Sequence, residues 1–263
     1  MPTFLLTNDD GADSPFLPRL IAALSALGRV RVVVPDAEPS WKAKAMTRYG
    51  RLDARPRPDL GPDAFAVSCT PSDCVNLGVH HLFDGPPDWV VSGINLGFNA
   101  GASFVINSGT VGGALEGALC GLPSAAFSTY IPPELFRPWT AERRFEGPVA
   151  EAILATTTER TVVEMGHLVR RGLPAGAMLV NVNFPGAVGP DTPLRWVPLQ
   201  DNRYGSLFVR ENGGFVHRYN GHLHTVPGSA SPSDREVVQA GEISATALHL
   251  AGLTVPVPEG YGG

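Results

Sequence analysis

Two adjacent carboxylates, Asp9 and Asp10, follow a short apolar run near the start of the sequence. Neighbouring like charges repel each other, so the pair needs a compensating partner. In α/β proteins, the residues that follow a strand commonly lie in the ligand crevice at the carboxyl edge of the sheet. A hard divalent cation would stabilise such a pair, although an Asp after a strand is also a common helix cap.

Further oxygen-bearing side chains follow later strands of the predicted sheet. Ser40 comes after a second apolar run and Asn95 after another. Because parallel strands end at the same edge of a sheet, we expect both residues to lie near Asp9 and Asp10. Carboxylate, hydroxyl and amide oxygens without His or Cys favour Mg²⁺ or Mn²⁺ over zinc.

Two segments could bind an anion beside this site. Glycines spaced by four within residues 93–101 accompany Asn99, and they would let backbone N–H groups approach a ligand closely. Ser108, Gly109 and Thr110 begin a predicted helix and offer hydroxyl and backbone donors. The spacing is neither a Walker loop nor a dinucleotide fingerprint. A divalent cation beside an anion site favours phosphoryl chemistry.

The elements that must position these residues form an α/β pattern. Residues 4–6 and 30–34 predict buried strands, and the spacing within 16–27 predicts a helix between them. This βαβ opening implies parallel strands and a right-handed crossover. We therefore predict a Rossmann-like, mostly parallel sheet flanked by helices.

The pattern changes after about residue 190. Pro, Gly, Arg, aromatic and His residues alternate there without helical spacing, which favours an antiparallel arm or hairpin over residues 190–230. We predict a metal- and phosphate-binding core over 1–189, and a smaller C-terminal region over 190–263 that serves oligomerisation.

The composition narrows the choice of partners. The chain has 263 residues, 43% of them hydrophobic, and a net charge of −5. Its only lysines are Lys42 and Lys44, so we expect no nucleic-acid polymer as partner. No uninterrupted apolar run could span a bilayer, and we expect a cytoplasmic protein without membrane contact. Three cysteines without ligand spacing favour reduced thiols over a zinc site or a disulfide.

Other residues have two interpretations each. Asp73 is favoured as a helix cap over a catalyst. Trp41 could stack on a base or cover a hydrophobic patch. Lys42 and Lys44 could meet a phosphate or remain solvated, and Asn107 could cap a helix or contact substrate.

Taken together, these segments resemble the SurE family of metal-dependent 5′/3′-nucleotidases, also called survival proteins. The matching stretches cover the first half of the chain densely: residues 6–11, residues 35–40 with Asp36, Glu38 and Ser40, residues 70–75, residues 91–101, residues 108–111, Glu116-Gly117 and residues 181–183. Two departures stand out. Residues 41–46 replace a small, glycine-rich run, and Asn107 replaces an aromatic or His.

The resemblance implies a function for each part of the chain. It implies that Asp9, Asp10, Ser40 and Asn95 hold one Mg²⁺ or Mn²⁺ per subunit. It places Asn99, Ser108, Gly109 and Thr110 around the phosphate. It also implies a Rossmann-like N-terminal domain and C-terminal arms that are exchanged in a homodimer or homotetramer.

The predicted reaction is hydrolysis of a nucleoside monophosphate, at its 5′ or 3′ phosphate, to nucleoside and phosphate. Either water or one of the carboxylates, Asp9 or Asp10, could attack phosphorus. A non-catalytic nucleotide or metal sensor is one alternative. A sugar-nucleotide transferase is another, although it would leave the segment 108–110 unexplained.

Overall fold

Thirteen strands and seven helices build the part of the chain that this computed structural model describes, namely residues 1–38, 41–186, 188–218 and 222–253. The strands are β1 Thr3–Thr7, β2 Arg29–Pro35, β3 Ala54–Pro56, β4 Ala64–Val67, β5 Trp89–Leu96, β6 Ser124–Thr129, β7 Leu179–Phe184, β8 Leu194–Trp196, β9 Asn202–Tyr204, β10 Phe208–Glu211, β11 Gly214–His217, β12 Leu223–Thr225 and β13 Ile243–Leu248. The helices are α1 Leu17–Leu24, α2 Pro71–His80, α3 Ala102–Asn107, α4 Gly109–Leu119, α5 Pro133–Glu142, α6 Pro148–Arg171 and α7 Asp234–Gln239, followed by a 3-10 helix over Leu250–Leu253.

Nine of these strands form the central sheet, in the order β3-β4-β2-β1-β5-β6-β7-β13-β8. The six strands from β4 to β7 run parallel to their neighbours. Strand β3 is antiparallel at one edge, and β13 is antiparallel to β7 but parallel to β8. The predicted α/β class with a mostly parallel sheet is therefore confirmed.

Helices cover both faces of the sheet, which explains why its strands are continuous apolar runs. In β1, Phe4 and Leu6 belong to the larger core, together with Leu20 of α1 and Met165 of α6. The intervening Leu5 packs on the opposite face, in a smaller core with residues of α2. Alternate side chains of one strand thus hold two helical layers.

Strand β5 is longer than its apolar run at residues 89–91 predicts, because it continues through Leu96 rather than ending ahead of Gly93. Its pairing with β6 is irregular between Ser92 and Asn95. Gly93 has φ +128°, and a Cβ there would lie 2.2 Å from the carbonyl oxygen of Phe127. Only glycine tolerates this conformation and this close approach. Asn95 therefore lies on a strand, where we had expected a loop.

The sequence analysis also fails to predict α3 and α5. Helix α3 has six residues and lies between the glycine-rich segment and α4, so its apolar spacing is too short to detect. Helix α5 contains Pro138 in its interior, and proline normally argues against a helix.

The C-terminal segment contributes to the sheet and also leaves it. Strands β8 and β13 extend the central sheet beyond β7. The antiparallel arrangement expected within residues 190–230 is present as the pairs β10–β11 and β9–β12. Among the helices that the structure describes, none is both long and apolar enough to cross a bilayer.

Candidate active site at the carboxyl edge of the sheet

Asp9 and Asp10 follow β1 directly, in a turn that Asn8 stabilises. The side-chain amide of Asn8 donates to the carbonyl oxygen of Gly11 at 3.0 Å, and the Gly11 N–H donates to the Asn8 Oδ1 at 3.1 Å. Gly11 has φ +88°, and its backbone lies against Ala37, just after β2. Only 5% of Asp9 and 2% of Asp10 is exposed. The turn therefore holds two acidic side chains inside the protein.

Neutral groups of a helix and of another strand donate to these carboxylates. The Thr110 hydroxyl, at the start of α4, donates to Asp9 Oδ1. The N–H of Leu96, at the end of β5, donates to Asp10 Oδ2 at 3.1 Å. A Cβ on Gly109 would lie 2.9 Å from both Cβ and Oδ2 of Asp9, so α4 begins in direct contact with that side chain.

Burial makes this carboxylate pair costly to ionise. Burial raises the pKa of the Asp10 carboxyl well above its ordinary value, and the Asp9 charge raises it further. Burial also raises the pKa of Asp9, against hydrogen bonds from Thr110 that lower it. A bound cation would remove both penalties at once, because it compensates the paired charges in a region without bulk water.

Arg143 brings a positive charge to the pair, and no sequence motif predicts it. Its guanidinium donates to the backbone carbonyl oxygen of Asp10 and to the Glu38 carboxylate, and it lies 3.5 Å from the centre of the Trp139 ring. The Arg143 charge lowers the Asp10 pKa, but less than burial and Asp9 raise it. No motif surrounds Arg143 in the sequence, so only the fold places it here.

Two further predicted metal ligands are Asn95 and Ser40. The Asn95 side-chain N–H donates to the carbonyl oxygen of Gly97, which leaves its Oδ1 as the atom able to bind a cation. Asn95 precedes Leu96, whose N–H reaches Asp10. Ser40 lies outside the described residues. Within those residues, no three His, Cys, Asp or Glu side chains form a metal-binding group, so a metal here would rely on Asn and hydroxyl oxygens as well.

Asn99 is anchored to the next two strands rather than left free in a loop. Its side-chain N–H donates to Ser128 Oγ at 2.9 Å, and its backbone N–H donates to Asn183 Oδ1 at 2.7 Å. The side-chain amide of Asn181 donates to the Asn99 carbonyl oxygen at 2.8 Å. These buried polar contacts hold the glycine-rich segment at the edge of the sheet.

The same segment is held from the C-terminal side by Asp234. This carboxylate accepts hydrogen bonds from the N–H of Gly101 at 2.7 Å and from the N–H of Gln200 at 2.9 Å. Burial raises the pKa of Asp234, while these backbone donors lower it. Residues 133 positions apart form this contact with Gly101, so it is a structural finding that no local sequence pattern predicts.

The predicted phosphate segment lies beside the carboxylate pair, as the sequence analysis expected. Ser108 is the N-cap of α4 and accepts a hydrogen bond from the Val111 N–H at 3.1 Å. Thr110 is fully buried against Asp9. The structure thus brings Asp9 and Asp10 to Gly109 and Thr110 at the amino end of a helix, and Asn95 directly precedes Leu96, which contacts Asp10.

The segment of residues 41–47, which we call the 41–47 loop, packs on this edge. The Ala43 N–H donates to the Asn107 carbonyl oxygen at 3.1 Å, and Lys44 forms a 2.6 Å ion pair with Glu116. Lys44 is therefore partly buried and paired with a carboxylate, rather than a free loop charge. The Trp41 ring lies 4.9 Å from the His217 ring and 6.1 Å from the Phe104 ring, so it joins an aromatic cluster.

Asp73 anchors the far end of the 41–47 loop. It forms a capping box with Thr70 at the start of α2, which confirms the interpretation of Asp73 as a cap. Its carboxylate also accepts hydrogen bonds from the Thr47 N–H at 2.9 Å and from the Thr47 hydroxyl at 2.7 Å. One side chain thus fixes both the helix and the loop.

The fold and the site together define a class: an α/β protein with a buried acidic pair and a helix amino end at the carboxyl edge of its parallel sheet. The family model described as "Survival protein SurE" matches residues 4–206. The chain therefore belongs to the SurE family.

Individual relatives cover nearly the whole chain. A protein named 5′-nucleotidase SurE from Geotalea daltonii is 37% identical over 250 residues, which span 94% of this chain and 92% of the relative. A protein of the same name from Moorella thermoacetica is 36% identical over 94% of this chain and 89% of its own length. The crystal structure of the SurE protein from Aquifex aeolicus superposes with a TM-score of 0.72 at 31% identity, covering 95% of this chain and 94% of that one.

Proposed function

We propose that this chain is a 5′-nucleotidase, which hydrolyses nucleoside monophosphates to nucleoside and phosphate. The observation that carries the proposal is the buried pair Asp9 and Asp10 in contact with the amino end of α4. The names of the relatives supply the reaction class, since proteins named 5′-nucleotidase match over almost the full chain.

We further propose that one divalent cation, Mg²⁺ or Mn²⁺, binds per subunit to Asp9, Asp10, Asn95 and Ser40. The fit of the described residues supports this, because two buried carboxylates have neutral donors as partners and Asn95 directly precedes Leu96, whose N–H reaches Asp10. The ion would supply a Lewis acid that withdraws charge from the phosphoryl oxygens.

The protein's own groups would position the phosphate. The amino end of α4 at Ser108, Gly109 and Thr110 carries a partial positive charge that favours a phosphate dianion. The missing side chain at Gly109 lets the helix backbone approach Asp9 closely. Asn99, held by Ser128 and Asn183, would provide a fixed polar group at the other side of the phosphate.

The proposed hydrolysis has two alternative routes of attack on phosphorus. In one, a water molecule attacks and its proton passes to a neighbouring carboxylate. In the other, Asp9 or Asp10 attacks and forms an aspartyl phosphate that water then hydrolyses. Rapid quenching during turnover separates them: a phosphorylated carboxylate supports the second route, and its absence supports the first.

The test of the proposal is phosphate release from a panel of 5′- and 3′-nucleoside monophosphates, with Mg²⁺ or Mn²⁺ and with EDTA. We expect release from at least one nucleotide, and we expect EDTA to abolish it. Folded protein that releases no phosphate from any of them would overturn the proposal. Metal-dependent nucleotide binding without release would instead favour a sensor, and transfer from a sugar nucleotide would favour a transferase.

We also propose that the chain forms a homodimer or homotetramer through its C-terminal region. Its hairpin β10–β11 carries apolar side chains that a monomer leaves exposed, with Phe208 56% and Phe215 67% accessible. Exposed apolar patches of this kind are typical of association surfaces. A cytoplasmic location stays a prediction from the sequence.

A further inference from the structure

Two cysteine side chains meet at the start of α2, although they are five positions apart in the sequence. The Sγ atoms of Cys69 and Cys74 lie 3.4 Å apart. A disulfide requires about 2.05 Å, so the sulfurs must approach by only about a further 1.4 Å. Cys74 is fully buried in the smaller core, whereas Cys69 lies at its margin and is partly accessible.

The residues between the two cysteines, 70–73, form the hydrogen bonds that fix the 41–47 loop. The Thr70 hydroxyl donates a hydrogen bond to the Ala45 carbonyl oxygen at 2.6 Å. The Asp73 carboxylate accepts one hydrogen bond from the Thr47 N–H and another from the Thr47 hydroxyl. Cys69 directly precedes Thr70, and Cys74 directly follows Asp73. A backbone shift that accompanies the joining of the two sulfurs would therefore displace the residues that bind the loop.

The geometry points to a reversible disulfide between Cys69 and Cys74, formed by reaction with a peroxide, that loosens the 41–47 loop. Cys69 initiates the reaction because it is the partly accessible residue of the pair. Burial raises the pKa of the Cys74 thiol well above its ordinary value, so this group attacks only after Cys69 has been oxidised.

The chemistry balances in two steps. The Cys69 sulfur attacks one peroxide oxygen, the O–O bond breaks, and a sulfenic acid and water result. The Cys74 sulfur then attacks the Cys69 sulfur, the S–O bond breaks, and the departing hydroxide takes the Cys74 proton to form a second water. Two thiols are oxidised and one hydrogen peroxide is reduced. A small dithiol reductant reverses the change by thiol–disulfide exchange.

The first experiment measures the disulfide itself and needs no enzymatic activity. In a Cys120→Ser variant, which retains only this pair, hydrogen peroxide should remove two hydrogens from the intact mass. Alkylation after denaturation should then find no free thiol, and peptide mapping should link Cys69 to Cys74. The matched variant with both Cys69→Ser and Cys120→Ser should form no such product. A sulfinic acid on Cys69 without a cross-link, or an unchanged mass, would overturn the proposal.

The second experiment measures the loop with a lysine-specific protease. The only lysines of the chain, Lys42 and Lys44, both lie in the 41–47 loop, so every cut reports on this segment. We expect severalfold faster cleavage of the oxidised Cys120→Ser protein, with return to the original rate after reduction. Cleavage that peroxide leaves unchanged, or accelerates equally when Cys69 is Ser, would overturn the coupling between disulfide and loop.

An activity measurement extends the inference and rests on the proposed nucleotidase function. The loop contacts Asn107 and Glu116 beside the candidate active site, so oxidation should lower phosphate release reversibly. A protein that never releases phosphate would refute the proposed function, while the mass and protease results would still decide the disulfide. Unchanged release from a fully oxidised protein would overturn the effect on the site.

Discussion

The candidate active site and the hairpin β10–β11 both depart from the usual distribution of side chains, in which polar groups are exposed and apolar groups are buried. Around β1, β5 and α4, charged and polar side chains are buried, including Asp10 at 2% exposure. In the hairpin, apolar side chains are exposed, including Phe215 at 67%. Both arrangements are costly for an isolated chain. A small charged ligand would offset the first cost, and a second protein surface would offset the other, as proposed above.

The difference also appears in how each region is held. The active-site loops are fixed by contacts between distant segments, such as those from Thr110 to Asp9 and from Asp234 to Gly101. The hairpin is held mainly by its own antiparallel register, from Phe208 opposite His217 to Glu211 opposite Gly214. We therefore expect substitutions in the first region to change chemistry, and substitutions in the second to change association.

The largest effect is expected for Asp9→Asn. This substitution removes a proposed metal ligand, and we expect activity to fall by at least about 100-fold, because several kcal/mol of transition-state stabilisation depend on the ion. The metal-free protein should unfold at the same temperature as the unmodified one or higher, since a repelling charge is gone. Steady-state phosphate release and thermal unfolding in EDTA measure the two effects.

Asp13→Asn is the matched control for that variant, because Asp13 is an exposed acid close by in the sequence. It should leave activity and unfolding unchanged. If Asp9→Asn unfolded at ordinary temperature, the buried pair would be structural, and the contrast with the hairpin would fail.

The next largest effect is expected for Gly109→Ala. The added methyl group would lie 2.9 Å from Asp9 Cβ and Oδ2, so the carboxylate or the helix must move. We expect activity to fall by roughly 10- to 100-fold, with a loss of stability of about 1–3 kcal/mol from overpacking. Gly205→Ala, where a Cβ meets nothing within 4 Å, should change neither quantity. Full activity in Gly109→Ala would show that contact between α4 and Asp9 is unnecessary.

A smaller effect is expected for Asn95→Ala. One neutral oxygen ligand would be lost while both carboxylates remain, so a higher metal concentration should be needed for half-maximal activity, by about 10-fold. Titration of activity with Mn²⁺ measures the shift. An unchanged metal requirement with full activity would remove Asn95 from the ligand set.

The smallest effect on the active site is expected for the double substitution Phe208→Ser with Phe215→Ser in the hairpin. It should convert the oligomer into smaller species in light scattering, while the unfolding temperature of the separated subunits changes little. Tyr49→Ser removes an aromatic side chain that is even more exposed, at 79%, and should leave the oligomer intact. A monomeric unmodified protein would contradict the interpretation of the hairpin as an association surface.

The local sequence pattern predicts much of the sheet edge at which the candidate site lies. The apolar runs of β1 and β2 and the helix between them predict parallel strands, and parallel strands bring Asp9, Asp10 and Asn95 to one edge. The capping role of Asp73 was also predicted, because a Thr-Pro-Ser-Asp start is a local signal. These features depend on residues that are close together in the sequence, so the sequence alone is enough to predict them.

The contacts of Arg143 and Asp234 were not predictable. Arg143 reaches Asp10 from 133 positions away, and Asp234 reaches Gly101 from the same separation. Neither contact leaves a periodicity or a motif. The extension of β5 past Gly93 was missed for a related reason, since the strand continues only because the Phe127 backbone passes close to that glycine.

The sequence by itself therefore determined the fold class and the edge of the sheet at which Asp9 and Asp10 lie, because strand periodicity and residue type are local properties. Only the tertiary structure decided how strongly the carboxylates are buried, which neutral donors reach them, and that Lys44 pairs with Glu116. It also decided that Cys69 and Cys74 touch. Burial and partnership depend on segments far apart in the chain, and packing alone brings those segments together.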